Sequence, residues 1–484
     1  MNINFRLVLS LLGYLITVMG LLMLVPAFID LYFGFGSYGT FLILSGLTSF
    51  FGAILIISNK GAPVEAMSTK DGLLLTFLSW IIIVLFSATP YKFSYLEFSY
   101  TDSFFETMSG ITTTGASIIT DLNRLSPGFH FWRILLGWIG GVGIIVTGII
   151  LIPYMQGGMN VFKVEAFETF DSAFAKAKKI ATGVFIIYVF ITFLVTFLLI
   201  FVANLSTFDS MLHAMSSVST TGFSNKNGSV GEFNNFKAEI IIIGSMISGG
   251  IPYILMYYFI FLRKRLLFSD QQVIGFFKIV LLAVLLIVLW LYYNQGYNLI
   301  TSIRYSLFSV VSLITGSGFS TKDYSSWGTF PVMILLTVMV IGSCSGSKSA
   351  GLKVYRIQIA YAFVKAAIEK VFLPRHVIVP LYNKKEVSND LAFGVFAYCF
   401  LYFVFVFSLA AILAFFGLDF VTAISGSIAT ISNVGPAFGN LIGPSGNYSM
   451  FPDIAKWFLS AGMFLGRLEF FVILAVLNRK FWKN

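Results

Sequence analysis

The chain has only two cysteines, Cys344 and Cys399, and three histidines, His130, His213 and His376, in 484 residues. Neither a disulfide framework nor a metal site is indicated, because the cysteines fall in a loop and an apolar run, the histidines are far apart, and no H-E-x-x-H pattern occurs. Each histidine is read as a structural residue. The G-x-x-x-x-G-K-[ST] loop and the dinucleotide-binding glycine fingerprint are also missing, so the chain offers no nucleotide-binding motif of its own. No pair of His or Asp residues has the spacing that an intramembrane hydrolase needs. Charged residues are scarce at 11%. Together these absences exclude an organic cofactor and catalytic chemistry: the chain is not read as an enzyme.

What abounds is apolar surface. Hydrophobic residues make up 57% and aromatics 17%, far more than a soluble core of this size takes up. This predicts an all-α integral membrane protein. Runs long enough for about 30 Å of hydrocarbon, roughly 20 helical residues, lie near 7 to 28, 40 to 58, 72 to 89, 130 to 153, 180 to 203, 239 to 262, 273 to 293, 330 to 343, 391 to 417 and 454 to 478. That makes about ten transmembrane helices, one of them short. The first run follows a lone Arg6, is too long for a signal-peptide core and has no small-residue cleavage site after it, so it is expected to be retained.

Basic residues cluster in alternate connections: Lys163, Lys176, Lys178 and Lys179; Arg263, Lys264 and Arg265; and Lys353, Arg356, Lys365, Lys370, Arg375, Lys384 and Lys385. Cytoplasmic loops carry such an excess, which puts these clusters, Arg6 and the tail Arg479, Lys480 and Lys483 inside. Both termini are then cytoplasmic. The formal net charge of +10 follows membrane side and lacks interleaved base-stacking residues, so membrane lipids and not nucleic acid are its expected partners.

Four times, between long apolar runs, a segment of about a dozen residues ends in a turn containing glycine: TTTGAS (Thr112 to Ser117), STTGFS (Ser219 to Ser224), TGSGFS (Thr315 to Ser320) and SNVGPA (Ser432 to Ala437). The preceding segments begin near Asp102, Asp209, Tyr305 and Thr422, suit half-membrane helices, and offer Asp102 and Asp209 as N-caps. Irregular backbone at membrane depth is tolerated only inside protein or along a watery path. A helix that enters from outside and stops midway points its negative end at the centre, which favours a cation. Gly115, Gly222, Gly318 and Gly435 allow the turn back, and four such breaks around one axis make a pore whose carbonyls replace the hydration shell of a monovalent cation.

At these residues, and at WIGGVGIIV (Trp138 to Val146), GLKVYRI (Gly351 to Ile357) and GRLE (Gly466 to Glu469), the chain resembles the Trk/Ktr/HKT superfamily of potassium transporters, most closely its bacterial TrkH-type subunits. The resemblance runs the whole length. It implies two leading helices in 1–70 and four helix, P-loop, helix repeats with pseudo-fourfold symmetry in 71–160, 161–265, 266–372 and 373–484. It also implies a homodimer in the bacterial cytoplasmic (inner) membrane, docked on a TrkA-type cytosolic nucleotide-binding ring. The K⁺ selectivity filter carried over onto this sequence is Thr113, Thr114 and Gly115; Thr220, Thr221 and Gly222; Gly316, Ser317 and Gly318; and Asn433, Val434 and Gly435. Four glycines resemble the potassium-conducting members, and a Na⁺-translocating or Na⁺-coupled relative is the alternative. A secondary transporter of an organic solute would show breaks of opposite orientation, unlike these.

In the family a loop below the filter acts as a gate. Here GSCSGSKSAG (Gly342 to Gly351) interrupts the third closing helix, with Gly342, Gly346 and Gly351 as joints and serines such as Ser347 to satisfy freed backbone groups. The other reading is a plain cytoplasmic turn. Lys348 departs from the small neutral residue expected there, and either reaches the pore and competes with K⁺ or snorkels to the cytoplasmic interface. Arg467, costly in mid-span, is placed by the resemblance near the gate, where it either raises a barrier to K⁺ or pairs with a loop carbonyl; Glu469 is a poor partner for it. Glu106 either concentrates cations near the entrance or, the favoured reading, bonds neighbouring backbone; Arg304 is expected to anchor its helix outside, and Gly137, Gly140, Gly141 and Gly143 to serve close packing.

Overall fold

The computed structural model describes residues 3–61, 67–151, 170–439, 441–444 and 446–483, with side chains of 144–151 and 170–176 left aside. Lys163 and the expected repeat boundary at 160 and 161 lie outside the described residues. Apolar runs become helices throughout. Three lead: α1 (Phe5–Leu22), α2 (Leu24–Tyr32), which continues it, and α3 (Tyr38–Ser58). Glycines on α1 and α3 face each other closely enough that a Cβ on Gly13 would lie 2.8 Å from the Gly52 carbonyl.

Four groups of helices follow. The first is α4 (Thr69–Ser87), the short α5 (Tyr100–Ile111) and α6 (Pro127–Leu151). The second is α7 (Phe170–Phe201), the short α8 (Thr207–Ser219), then α9 (Phe236–Gly250) and α10 (Tyr253–Leu262). The third is α11 (Gln271–Asn294), the short α12 (Leu299–Ile314), α13 (Thr329–Ile341) and α14 (Val354–Phe372). The fourth is α15 (Asn389–Phe415), the short α16 (Phe420–Ile431), α17 (Asp453–Leu468) and α18 (Phe470–Leu477). A small hairpin, β1 (Leu381–Tyr382) against β2 (Lys385–Glu386), links the last two units.

Burial is inverted relative to a soluble protein. Long helices turn apolar side chains outward, with Leu281 71% and Phe393 77% exposed, while the short helices bury Ser103, Thr107, Ser210, Ser217, Ser306, Ser309, Ser425 and Ser427. A helix enclosed by protein has no lipid face to satisfy, and several of its hydroxyls fold back onto their own helix, as Thr107 Oγ1 does onto the Ser103 carbonyl at 2.7 Å. The outer helices carry the apolar surface that lipid demands.

Six described helical stretches are long and apolar enough to span, and two more spans are bent, by 96° between α9 and α10 and by 108° between α17 and α18. The continuous runs expected over 239–262 and 454–478 are therefore each two helices. Pro252 lacks the amide proton that would extend α9, and Glu469 adopts a left-handed φ of 57°. Together with the interruption after α13, three of the four closing segments break.

A candidate ion path

Every short helix opens on a side-chain cap: Ser99, Ser206, Asn298 and Asp419 each accept a hydrogen bond from the backbone three residues on. Asp102 and Asp209, expected as caps, stand instead in the first turn. The shorter serine three residues earlier already takes the amide proton, and the aspartates complement the helix dipole. Asp102 pairs with Lys456 at 2.6 Å and Asp209 accepts from Asn225 at 2.6 Å.

Every short helix also closes identically. The amides of Thr114, Thr221, Ser317 and Val434 donate five residues back, to Ser109, Ser216, Ser312 and Ala429, and those of Thr113, Thr220, Gly316 and Asn433 donate three back. This is the Schellman closure, which needs a left-handed residue just past the helix. Gly316 and Asn433 suit that place. Thr113 (φ 53°) and Thr220 (φ 55°) do not, since β-branched residues are genuine outliers there, at a cost of about 1–3 kcal/mol each. Two residues later the chain is left-handed again, at Gly115, Gly222, Gly318 and Gly435 (φ 82°, 79°, 77° and 85°). Alternating the sign of φ turns successive peptide carbonyls to one side, where a β-strand would alternate them.

The glycines bring the four turns together. A Cβ on Gly115 would strike the Thr221 carbonyl oxygen, one on Gly222 that of Ser317, one on Gly318 that of Val434, and one on Gly435 that of Thr114, all closer than 3.0 Å. First touches second, second third, third fourth, and fourth first. Among the described residues, the carbonyls of residues 113–115, 220–222, 316–318, 433 and 434 accept no hydrogen bond from the protein. Carbonyls removed from bulk water normally find a donor. Here a row of them does without.

The turns differ in what braces them. Hydroxyls two residues apart bond each other in the first three: Thr112 with Thr114 at 2.7 Å, Ser219 with Thr221 at 2.7 Å, and Thr315 with Ser317 at 3.0 Å. Val434 has no hydroxyl, and the fourth turn is tied through Asn433, whose amide reaches Thr114 Oγ1 at 2.8 Å and the Met463 carbonyl at 2.9 Å. Behind the first turn Glu106 accepts from Ser117, from the Ile118 amide and from Arg133 Nε at 2.7 Å, as its expected backbone bonding required. Arg133 was not picked out from sequence. It also donates to the Ser224 carbonyl and lies 3.9 Å from the Phe223 ring centre, joining the first two turns; an arginine in an otherwise apolar run was the available signal. His213 stands in the equivalent place on α8 and bonds Ser224 Oγ at 2.9 Å, a structural role as expected. Arg304 pairs with Glu239 at 2.6 Å and 2.7 Å.

The glycines of α6 press on these turns: a Cβ on Gly140 would strike the Ile111 carbonyl and one on Gly137 the Thr221 side chain. Gly141 is also crowded, whereas among the described residues nothing lies close to a Cβ on Gly143. Their close packing is against turns and helix ends as well as other spans.

Below lies the interrupted segment. Ser343, Cys344, Ser347, Lys348, Ser349 and Ala350 are all buried. It docks on the bend between α9 and α10: the amides of Cys344 and Lys348 donate to Gly250 and Gly249, and that of Tyr253 to Gly346. Gly342, Gly346 and Gly351 are all left-handed (φ 67°, 76° and 84°), and Ser347 Oγ donates to the Cys344 carbonyl at 2.6 Å. Ser349 Oγ sits 3.6 Å from where a Gly316 side chain would begin, directly against the third turn.

Lys348 does not snorkel. Its ammonium is buried, donates to the Val218 carbonyl in the last turn of α8 and to the Tyr253 hydroxyl, and lies 3.9 Å from the Tyr188 ring centre and 4.3 Å from that of Tyr253. A helix C-terminus and two ring faces both favour a cation. Its own carbonyl accepts from Arg467 Nη1 at 2.5 Å, and Arg467 Nη2 reaches the Gly140 carbonyl at 3.2 Å. Arg467 thus pairs with a loop carbonyl, and Glu469 instead binds Arg356 at 3.0 Å and Lys353 at 3.7 Å.

The family model described as "TrkH: Cation transport protein" matches residues 46–482. The chain belongs to the TrkH family. Among its relatives, the Trk system potassium uptake protein TrkI of Halomonas elongata is 36% identical over 413 residues, covering 85% of this chain and 83% of that one. The Trk system potassium uptake protein TrkH of the same organism is 32% identical, covering 99% and 100%. The crystal structure of the potassium transporter TrkH from Vibrio parahaemolyticus superimposes with a TM-score of 0.90 at 26% identity, covering 99% of this chain and 100% of that one. The TrkH-family fold thus extends over the leading helices and all four units.

Proposed function

We propose that this TrkH-family chain takes K⁺ up across the cell inner membrane through a filter made of its four turns. The observation that carries this reading is the set of carbonyls that accept nothing from the protein while four glycines hold neighbouring turns in contact. A dehydrated monovalent cation is the partner such oxygens fit. The filter consists of Thr113, Thr114 and Gly115; Thr220, Thr221 and Gly222; Gly316, Ser317 and Gly318; and Asn433, Val434 and Gly435, arranged with pseudo-fourfold symmetry. Membrane potential drives inward flux with about 2.3 kcal/mol per charge per 100 mV. No bond is made or broken.

The segment from Gly342 to Gly351 is the gate. The Lys348 ammonium fastens it to α8, while Arg467 fastens its backbone to α17 and α6; opening requires both ties to loosen. The units comprise 1–70, 71–160, 161–265, 266–372 and 373–484, with ten crossings, counting each bent pair once, and both termini inside. Two copies side by side stand on a TrkA-type nucleotide-binding ring that works the gate.

⁸⁶Rb⁺ flux into proteoliposomes, with K⁺ or Na⁺ as competitor, tests the filter in the native chain and in Gly115→Ser. K⁺ should compete far better than Na⁺, and the substitution should narrow the gap. Equal competition by both ions in the native chain would overturn the K⁺ reading in favour of a Na⁺-translocating relative.

A further inference from the structure

Gly115, Gly222, Gly318 and Gly435 end the four turns in the same backbone conformation, yet their carbonyls are not equivalent. Those of the first three accept no hydrogen bond among the described residues; that of Gly435 accepts one from the Tyr448 hydroxyl at 2.8 Å. Tyr448 is 2% exposed. Its backbone amide donates to the Ser117 carbonyl at 2.8 Å, and its ring packs against Phe105 and Phe451 with centres 5.5 Å and 5.2 Å away. Ring and backbone are held by other contacts, which fixes the phenolic oxygen beside the Gly435 carbonyl.

We propose that Tyr448 is a specificity-determining residue, which weakens one oxygen of the outermost ion-binding ring by donating its hydroxyl proton to the Gly435 carbonyl. This rests on the filter reading above. A proton and a potassium ion draw on the same lone pairs, and the partial positive charge of the hydroxyl opposes a cation on that oxygen. The ring then offers three full ligands and one reduced ligand. Selectivity depends on the number and field strength of coordinating carbonyls; a ring short of one full ligand holds K⁺ less tightly and separates K⁺ from Na⁺ less sharply. The same device favours release of the ion, since conduction needs sites weak enough to leave.

Tyr448→Phe removes the hydroxyl and keeps the ring between Phe105 and Phe451. Rb⁺ uptake and its inhibition by K⁺ and Na⁺ are measured in proteoliposomes for the native chain, Tyr448→Phe and Gly115→Ser, each first matched for melting temperature and monodispersity. The expected result is half-saturation at about fivefold lower Rb⁺ and weaker competition by Na⁺ in Tyr448→Phe. Unchanged or weaker Rb⁺ affinity in Tyr448→Phe, with Gly115→Ser still altering ion competition, overturns the proposal and leaves the filter in place. If neither substitution moves ion competition, the filter reading fails as well.

Discussion

The four glycine turns use one local solution four times, whereas the Gly342–Gly351 segment has no counterpart among the described residues. Each upper turn has a capped short helix, a Schellman closure and a glycine two residues later, and each leans on the next. The loop has no such partner copy. It is held by a lysine ammonium in an aromatic pocket and an arginine from another unit. Repetition gives a geometry that needs no side-chain chemistry beyond hydroxyls and missing Cβ atoms. The single Gly342–Gly351 segment is tied down by individual long side chains, and such ties can be released one at a time.

The sharpest way to break the comparison is Gly222→Ala. Its Cβ meets the Ser317 carbonyl more closely than a Gly115 Cβ meets that of Thr221, and its φ is left-handed, so Rb⁺ uptake should fall further than in Gly115→Ser, while Gly143→Ala, with no described atom close to its Cβ, should leave uptake unchanged. Next in size is the brace behind the turns. Glu106→Gln leaves the buried Arg133 uncompensated, which should destabilise by about 3–5 kcal/mol and appear as a lower melting temperature in detergent.

Effects on the loop should be smaller and of opposite sign for flux. Arg467→Met removes ties to the Lys348 and Gly140 carbonyls, and basal Rb⁺ flux through the purified chain alone should rise by about tenfold, the equivalent of roughly 1.4 kcal/mol. Lys348→Met should raise it less, and the double substitution should fall short of the product of the two, because both hold one segment. Unchanged basal flux in both single variants would remove the gate from this loop. At the weakest end stands Asp121, an exposed outer-loop carboxyl held below its usual range chiefly by hydrogen bonding to Asn227. Asp121→Asn should leave uptake and melting temperature unaltered near neutral pH; a marked loss would show that the outer loops, and not the turns alone, set the filter.

Composition and run lengths alone determined the all-α membrane class, because bilayer thickness imposes a length that side chains must honour. The four glycines were equally legible, since few other residues tolerate the φ that such a turn requires. Tertiary structure decided what depends on distance between units. It brought Arg133 behind two turns, buried the Lys348 ammonium against the end of α8, gave Arg467 a loop carbonyl, and bent α9 from α10 and α17 from α18. Gly249, Gly250 and Pro252 hinted at the first bend. A charged side chain in an apolar run announces that it needs a partner, but which oxygen it finds depends on packing between segments more than a hundred residues apart, and local sequence holds no record of that.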